Sequence, residues 1–109
     1  MTRGEIVVVA ISGDYGKPRP ALVVQSDLFN ETHASITVAP VTSTLVSAPL
    51  FRLTLEPTAQ TGLRSVSQVM IDKMTAVKRD KIAKAVGRVD DETMVRVNRA
   101  IALWLGIAA

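Results

Sequence analysis

Short runs of β-branched residues, broken by Gly, Asp and Pro, fill most of the chain, and a helical period takes over only near its C-terminus. "EIVVVAI" from Glu5 and "ALVVQSD" from Ala21 read as two strands, because β-branched side chains suit a pleated, half-buried surface. Between them the Gly, Asp and Pro cluster from Ser12 to Pro20 reads as a turn-rich loop, so the pair is expected to form a hairpin. "SITVAPV" follows as a third strand, which Pro40 confines to an edge, an end or a bulge because proline has no N–H to give a ladder. "LFRLTLE" alternates apolar and polar positions and is a fourth, with Leu50, Leu53 and Leu55 assigned to its buried face. Gly62 marks a turn in "TGLRSVSQVMIDKMTAV", which carries one or two further strands, and "IAKAVGRV" supplies another.

"DDETMVRVNRAIALWLG" has a different period. Asp90 suits an N-cap, Asp91 and Glu92 complement the helix dipole, and Gly106 suits a C-terminal stop. Met94, Val97, Ile101, Trp104 and Leu105 recur at helical spacing and are expected to pack on the sheet. Many short strands followed by one terminal helix predict a mainly β fold of the α+β class: a small barrel or curled sheet with a helix laid across it. Without an internal repeat or a low-complexity linker, residues 1–109 are expected to form a single domain.

Charge adds a second pattern to this picture. Thirteen Lys and Arg against ten Asp and Glu leave a net +3. The excess gathers between residues 73 and 88, where Lys73, Lys78, Arg79, Lys81, Lys84 and Arg88 face only Asp80. Such a segment suits a phosphate backbone, whose counterions it would release, and equally suits a solvated face that keeps a protein in solution. With no cysteine, disulfides, thiolate catalysis and zinc–thiolate sites are excluded. The apolar stretches Ile6 to Ile11 and Ala100 to Ala109 fall far short of the roughly 20 residues a membrane helix needs. A cytoplasmic protein with no membrane partner is the expectation.

Candidate chemistry is sparse. His33 is the only histidine and lies in the polar stretch "NETHAS", where a solvated side chain is the ordinary outcome. No metal cluster, Gly-rich phosphate loop or Gly-x-Ser-x-Gly elbow occurs, so an enzyme built on this chain is expected to use no metal and no cofactor. What stands out is Arg19, wedged between Pro18 and Pro20, and the hydroxyl cluster from Thr42 to Thr44 in "PVTST".

These elements come in a telling order. "RGEI", "RPALVVQSD", "VAPVTS", "DKMTAV", "VGRV" and a terminal helix resemble, over essentially the whole chain, the MazF/PemK toxins of bacterial type II toxin–antitoxin pairs. The resemblance implies an SH3-like barrel of the MazF/CcdB type that forms a homodimer. It also implies sequence-specific, metal-independent cleavage of single-stranded RNA, with inhibition by a cognate antitoxin protein. The family's cleavage residues, the arginine of "RP" and the threonine of "TS", fall on Arg19 and Thr42. Their chemistry suits the task, since a guanidinium can hold a charged phosphoryl group bidentately and a hydroxyl can hydrogen-bond to it. Each proline fixes its own φ and restricts the residue before it, so the backbone that aims Arg19 is stiff.

RNA contacts are assigned to Tyr15, Lys17, Ser43, Gln68, Asp72 and Lys73. The two lysines would meet phosphate, Ser43 and Gln68 would bond splayed bases, and Tyr15 would stack or remain an exposed loop tyrosine. Some relatives carry an arginine two residues before the aspartate that aligns with Asp72, whereas this chain has Met70. Asp72 is therefore either a structural carboxylate or a catalytic base. The competing readings are a gyrase-binding toxin of the CcdB kind, which "WLGI" loosely resembles, and a barrel that only binds.

Overall fold

A computed structural model describes residues 1–10 and 17–108. The described residues form seven strands: β1 (Glu5–Ala10), β2 (Pro18–Val23), β3 (Ser35–Thr42), β4 (Arg52–Leu55), β5 (Ser67–Met70), β6 (Thr75–Lys78) and β7 (Ile82–Arg88). Two helices, the one-turn α1 (Asp27–Asn30) and α2 (Asp91–Trp104), complete the fold with two 3-10 turns at Ile71–Lys73 and Arg79–Lys81. Every strand pairing is antiparallel, in the order β4-β5-β3-β2-β1-β7, and β6 lies beside the first half of β3. The expected mainly β class with a C-terminal helix is the observed one.

Two register shifts between β1 and β7 bend the sheet, as extra residues in one strand of a pair do. The curl brings the far edge back toward β4 and β5: Arg88 at the end of β7 donates its N–H to the Gln60 carbonyl at 2.8 Å. Backbone here meets backbone without room for a side chain. A Cβ on Gly87 would lie 2.1 Å from the Thr61 carbonyl oxygen, and one on Gly62 (φ 68°) 2.1 Å from that of Val86.

Strands β1 to β3 are buried on both faces, which explains the unbroken apolar run in "IVVVA". On the concave face Ile6, Leu22, Ala39, Val41 and Val69 pack with Val97 and Ala100 of α2. On the other face Val7, Val9, Ala21, Val23, Ile36, Val38 and Val77 form a second cluster. Arg3 ties the two layers together: its guanidinium donates to the Val24 carbonyl (2.8 Å) and to Asn98 Oδ1 (2.7 Å) of α2. Gly4, at φ 95°, then turns the chain so that its N–H reaches the Val23 carbonyl at 2.9 Å.

The prolines sit where their missing donors cost nothing. Alternate strand residues turn their polar groups to opposite sides, and the Val23 carbonyl faces β1 while the Val24 N–H faces β3. By that alternation Arg19 faces β1, opposite Val9, and Pro18 and Pro20 face the side of β3, which has already left β2 at the Ala21–Pro40 pair. The strand therefore begins at Pro18, inside the stretch expected to be loop. Pro40 similarly falls between the part of β3 that pairs with β6 (Ser35 to Val38) and the part that pairs with β5 (Val41 and Thr42). It lies neither at an edge nor at an end of the sheet, but at a change of neighbour.

Helix α2 has the expected caps. Thr93 N–H donates to Asp90 Oδ1 at 2.8 Å. At the other end Gly106, at φ 74°, lets its own N–H reach the Leu103 carbonyl and that of Ile107 reach Ala102, a Schellman ending. The expected apolar stripe is only partly covered. Val97 is buried and Met94 and Ile101 pack against the core, but Trp104 and Leu105 are 49% and 58% exposed. The helix outruns the sheet beneath it, and Phe51 meets the Trp104 ring at 5.4 Å between centroids. Leu50 likewise departs from expectation: it precedes β4 in a turn and is exposed, whereas Leu53 and Leu55 are buried.

Candidate nucleic-acid interface

The concave face has two ends. Ile6 and Leu22 lie under α2; two residues further along the same alternation, Val8 and Pro20 are left uncovered and floor a groove of about 760 Å³. Its walls include Arg19 from β2, Thr42, Ser43 and Thr44 at the end of β3, Arg64 and Ser65 before β5, and Lys84 of β7. Cations and hydroxyls thus line a trough whose floor is aliphatic and proline.

Arg19 is exposed and lies on the stretch of β2 that, among the described residues, pairs with β1 alone. Thr42 ends β3 and turns the chain: its Oγ1 accepts the Thr44 N–H at 3.1 Å. That bond fixes the hydroxyl oxygen and uses it as an acceptor, and the hydroxyl hydrogen is a separate donor that an anion can receive. Arg19 and the adjacent pair Thr42 and Ser43, far apart in sequence, line one groove.

The other assigned contacts lie elsewhere. Gln68, read as a contact for bases, is buried and has both ends of its amide engaged by Val46: Nε2 donates to the carbonyl at 2.9 Å and Oε1 accepts the N–H at 3.0 Å. It thereby pins the loop that follows Thr42 to Thr44. Asp72 is clamped by Arg52 of β4, whose Nε and Nη2 donate to its two oxygens at 2.8 and 3.0 Å. The Arg52 guanidinium holds the Asp72 carboxyl below the usual carboxylate range. The guanidinium comes from Arg52, the cross-strand partner of Met70, and so a neighbouring strand supplies the charge that position 70 does not. Lys73 is exposed on the 3-10 turn and Lys17 is exposed just before β2, both outside the groove's lining. Tyr15 lies outside the described residues.

Two groove cations escaped the sequence reading. Lys84 was one of several lysines in the basic segment, and nothing in its spacing set it apart. Arg64 stands beside Gly62, and that pairing of a turn glycine with an isolated cation was its one visible signal. Arg79, counted with the basic surface, instead donates to the backbone carbonyls of Asn30 and His33 behind α1. Among the described residues no helix is long and apolar enough to cross a membrane.

A curled antiparallel sheet, helix-covered at one end and open at the other in a trough of cations and hydroxyls, defines a small barrel fitted to an anionic ligand. Comparison with known proteins makes the assignment specific. The chain belongs to the family described as PemK-like, MazF-like toxins of type II toxin–antitoxin systems, whose model matches residues 2–105. It is 50% identical over 109 residues to a probable endoribonuclease MazF of Mycolicibacterium smegmatis, covering 99% of each chain. Among solved structures it superposes with a TM-score of 0.83 on an endoribonuclease in complex with its cognate antitoxin from a mycobacterial species. That match covers 100% of this chain and 98% of the other at 22% identity, a likeness of fold. A MazE–MazF crystal structure from Deinococcus radiodurans matches at a TM-score of 0.78 and 25% identity, covering 97% of this chain and 96% of that one.

Proposed function

We propose that this MazF-type endoribonuclease toxin cleaves single-stranded RNA at short sequences without a metal, with Arg19 and Thr42 at the scissile phosphate. The observation that carries the reading is the meeting of these two side chains in one open groove. A ribose 2′-oxygen attacks the adjacent phosphorus, the bond to the 5′-oxygen breaks, and the proton lost from the 2′-hydroxyl is balanced by one gained at the leaving oxygen. Negative charge builds on the phosphoryl oxygens in between. Arg19 supplies the positive charge that offsets it and Thr42 adds a hydroxyl donor. Asp72 has a structural role in this scheme, since both its oxygens already accept from Arg52. A toxin that only bound gyrase would have no use for an arginine and a threonine converging on one trough.

The toxin works as a homodimer in the cytoplasm, where its substrate is. Leu50, Leu103, Trp104, Leu105 and Ile107, all exposed, leave an apolar strip along the end of α2, the kind of patch that marks a protein interface. A cognate antitoxin then binds the basic surface through a disordered acidic segment that folds as it docks. Lys73, Lys78, Lys81 and Arg88 are exposed for that purpose. The test is incubation with a long mixed-sequence RNA in EDTA, with cut ends mapped by primer extension. Discrete cuts that vanish in Arg19→Ala and Thr42→Ala support the reading, and cuts that persist in both variants refute it.

A further inference from the structure

The wall of the groove opposite β2 is built from the chain between β4 and β5, and its construction is unusually tight. Thr61 is buried, and its hydroxyl donates to the Glu56 carbonyl at 2.8 Å and accepts the Thr58 N–H at 3.0 Å. The Thr58 hydroxyl in turn accepts the Thr61 N–H at 3.1 Å, so the two threonines close a small ring of bonds. That turn is pressed onto β7 by the glycine contacts at Gly62 and Gly87 and by the bond from Arg88 to Gln60. Two residues beyond Gly62, Arg64 reaches the groove, and on β7, one residue before the strand partner of Val7, so does Lys84.

A turn that fixes its own hydroxyls and excludes every Cβ at its seam holds its backbone in one place. Arg64 lies two residues from that anchored turn, which lowers the conformational freedom it must lose when it takes a ligand. Arg64 and Lys84 come from the two elements joined at that seam, and they carry two positive charges in a groove whose reacting phosphate is assigned to Arg19 and Thr42. A single-stranded substrate presents one phosphate per nucleotide, so one held at Arg19 brings its neighbours into the same trough.

We propose that Arg64 and Lys84 form a second phosphate subsite that holds the RNA backbone beside the scissile bond and so helps to seat that bond at Arg19 and Thr42. The inference rests on the RNA-cleaving reading of the groove. Arg64 is the positioning residue of the pair because of its rigid mount and its planar fork, which suits bidentate phosphate binding. Lys84 adds a point charge.

Binding is measured by fluorescence anisotropy on a labelled mixed-sequence single-stranded RNA whose 2′-hydroxyls are all replaced by fluorine, which cannot be cleaved. The affinity of wild type, Arg64→Ala, Arg64→Lys, Lys84→Ala and Arg96→Ala, an exposed cation of α2 outside the groove's lining, is followed against NaCl concentration. Arg64→Ala is expected to weaken binding about tenfold and to reduce the slope of log K against log salt by about 0.7, one phosphate contact on a single strand. Lys84→Ala gives a smaller loss with a similar change of slope, Arg64→Lys recovers part of the affinity, and Arg96→Ala leaves the slope of wild type. In cleavage, Arg64→Ala raises KM more than it lowers kcat, the reverse of Arg19→Ala. Wild-type slope and affinity in Arg64→Ala, or an equal loss in Arg96→Ala, would overturn the subsite while leaving the cleavage reading standing. A folded wild type that neither binds nor cuts RNA would overturn both.

Discussion

The two ends of the concave face are made from the same strands and put them to opposite uses. Under α2, Ile6, Leu22 and Ala39 are fully buried and serve packing alone. A step or two along β1 and β2, Val8 and Pro20 are the floor of a groove whose walls carry Arg19, Thr42, Arg64 and Lys84. At the first end each side chain is fixed by its neighbours; at the second, the strands carry polar side chains that line an open groove. Stability and chemistry are therefore separable by substitution, and the seam between β7 and the turn before β5 is where they are coupled.

Substitutions at either end test that division, beginning with the largest effect. Arg19→Ala is expected to lower the rate of RNA cleavage about 100- to 1000-fold, as loss of one donor to a developing anion does. Its melting temperature should stay near that of wild type, because the residue is exposed. A large drop in melting temperature would show that the groove end also holds the fold. Leu22→Ala is the mirror experiment: about 3 kcal/mol of stability is lost from a fully buried site, with cleavage per folded molecule retained. Denaturant unfolding and active-site titration read the two quantities separately.

Gly87→Ala should blur the division. Its new Cβ would fall 2.1 Å from the Thr61 carbonyl, so the seam must open, at about 2 kcal/mol and with a rise in the KM for RNA. If only stability changed, the turn would not be positioning the groove wall. The smallest effect is expected at Asp72→Asn, which weakens a largely buried pair by about 1 kcal/mol at neutral pH. The Asp72 carboxyl is held below its ordinary range by Arg52, so the folded state favours its ionised form. Its contribution is present above about pH 4, the unfolded carboxylate value. It is lost as the pH falls through the lower folded value, so the gap between wild type and variant should close on acidification, which thermal melts across that range would record.

Much of the fold was legible because its signals are local. The β-branched runs, Asp90 and Gly106 each act within a few residues, and the strands and helix caps they predict are present. Expectation failed where distant parts of the chain decide the outcome. Pro18 and Pro20 read as loop because nothing local says that β3 has turned away beside them, and Trp104 and Leu105 read as core because a stripe does not reveal where the sheet beneath it ends. Arg19 and the hydroxyls from Thr42 to Thr44 stood out in the sequence, but only a family resemblance, which carries long-range information that periodicity lacks, joined Arg19 to Thr42, and both line one groove. The same limit hid Arg64 and gave Gln68 to bases. Whether an amide faces a ligand or a backbone two dozen residues away depends on the path of the loop between.

The seam at Gly62 and Gly87 also bears on the order in which this protein is made. Groove walls are drawn from residues as early as Val8 and as late as Val86, and the turn before β5 is braced by a strand that pairs with the first one. A nascent chain that has emerged only through β6 therefore has Arg19 and Thr42 but no brace for the opposite wall. Long-range pairing of this kind forms late. The trough is completed only once β7 has emerged and paired with β1, so a nascent chain still short of β7 carries Arg19 and Thr42 in an unfinished groove.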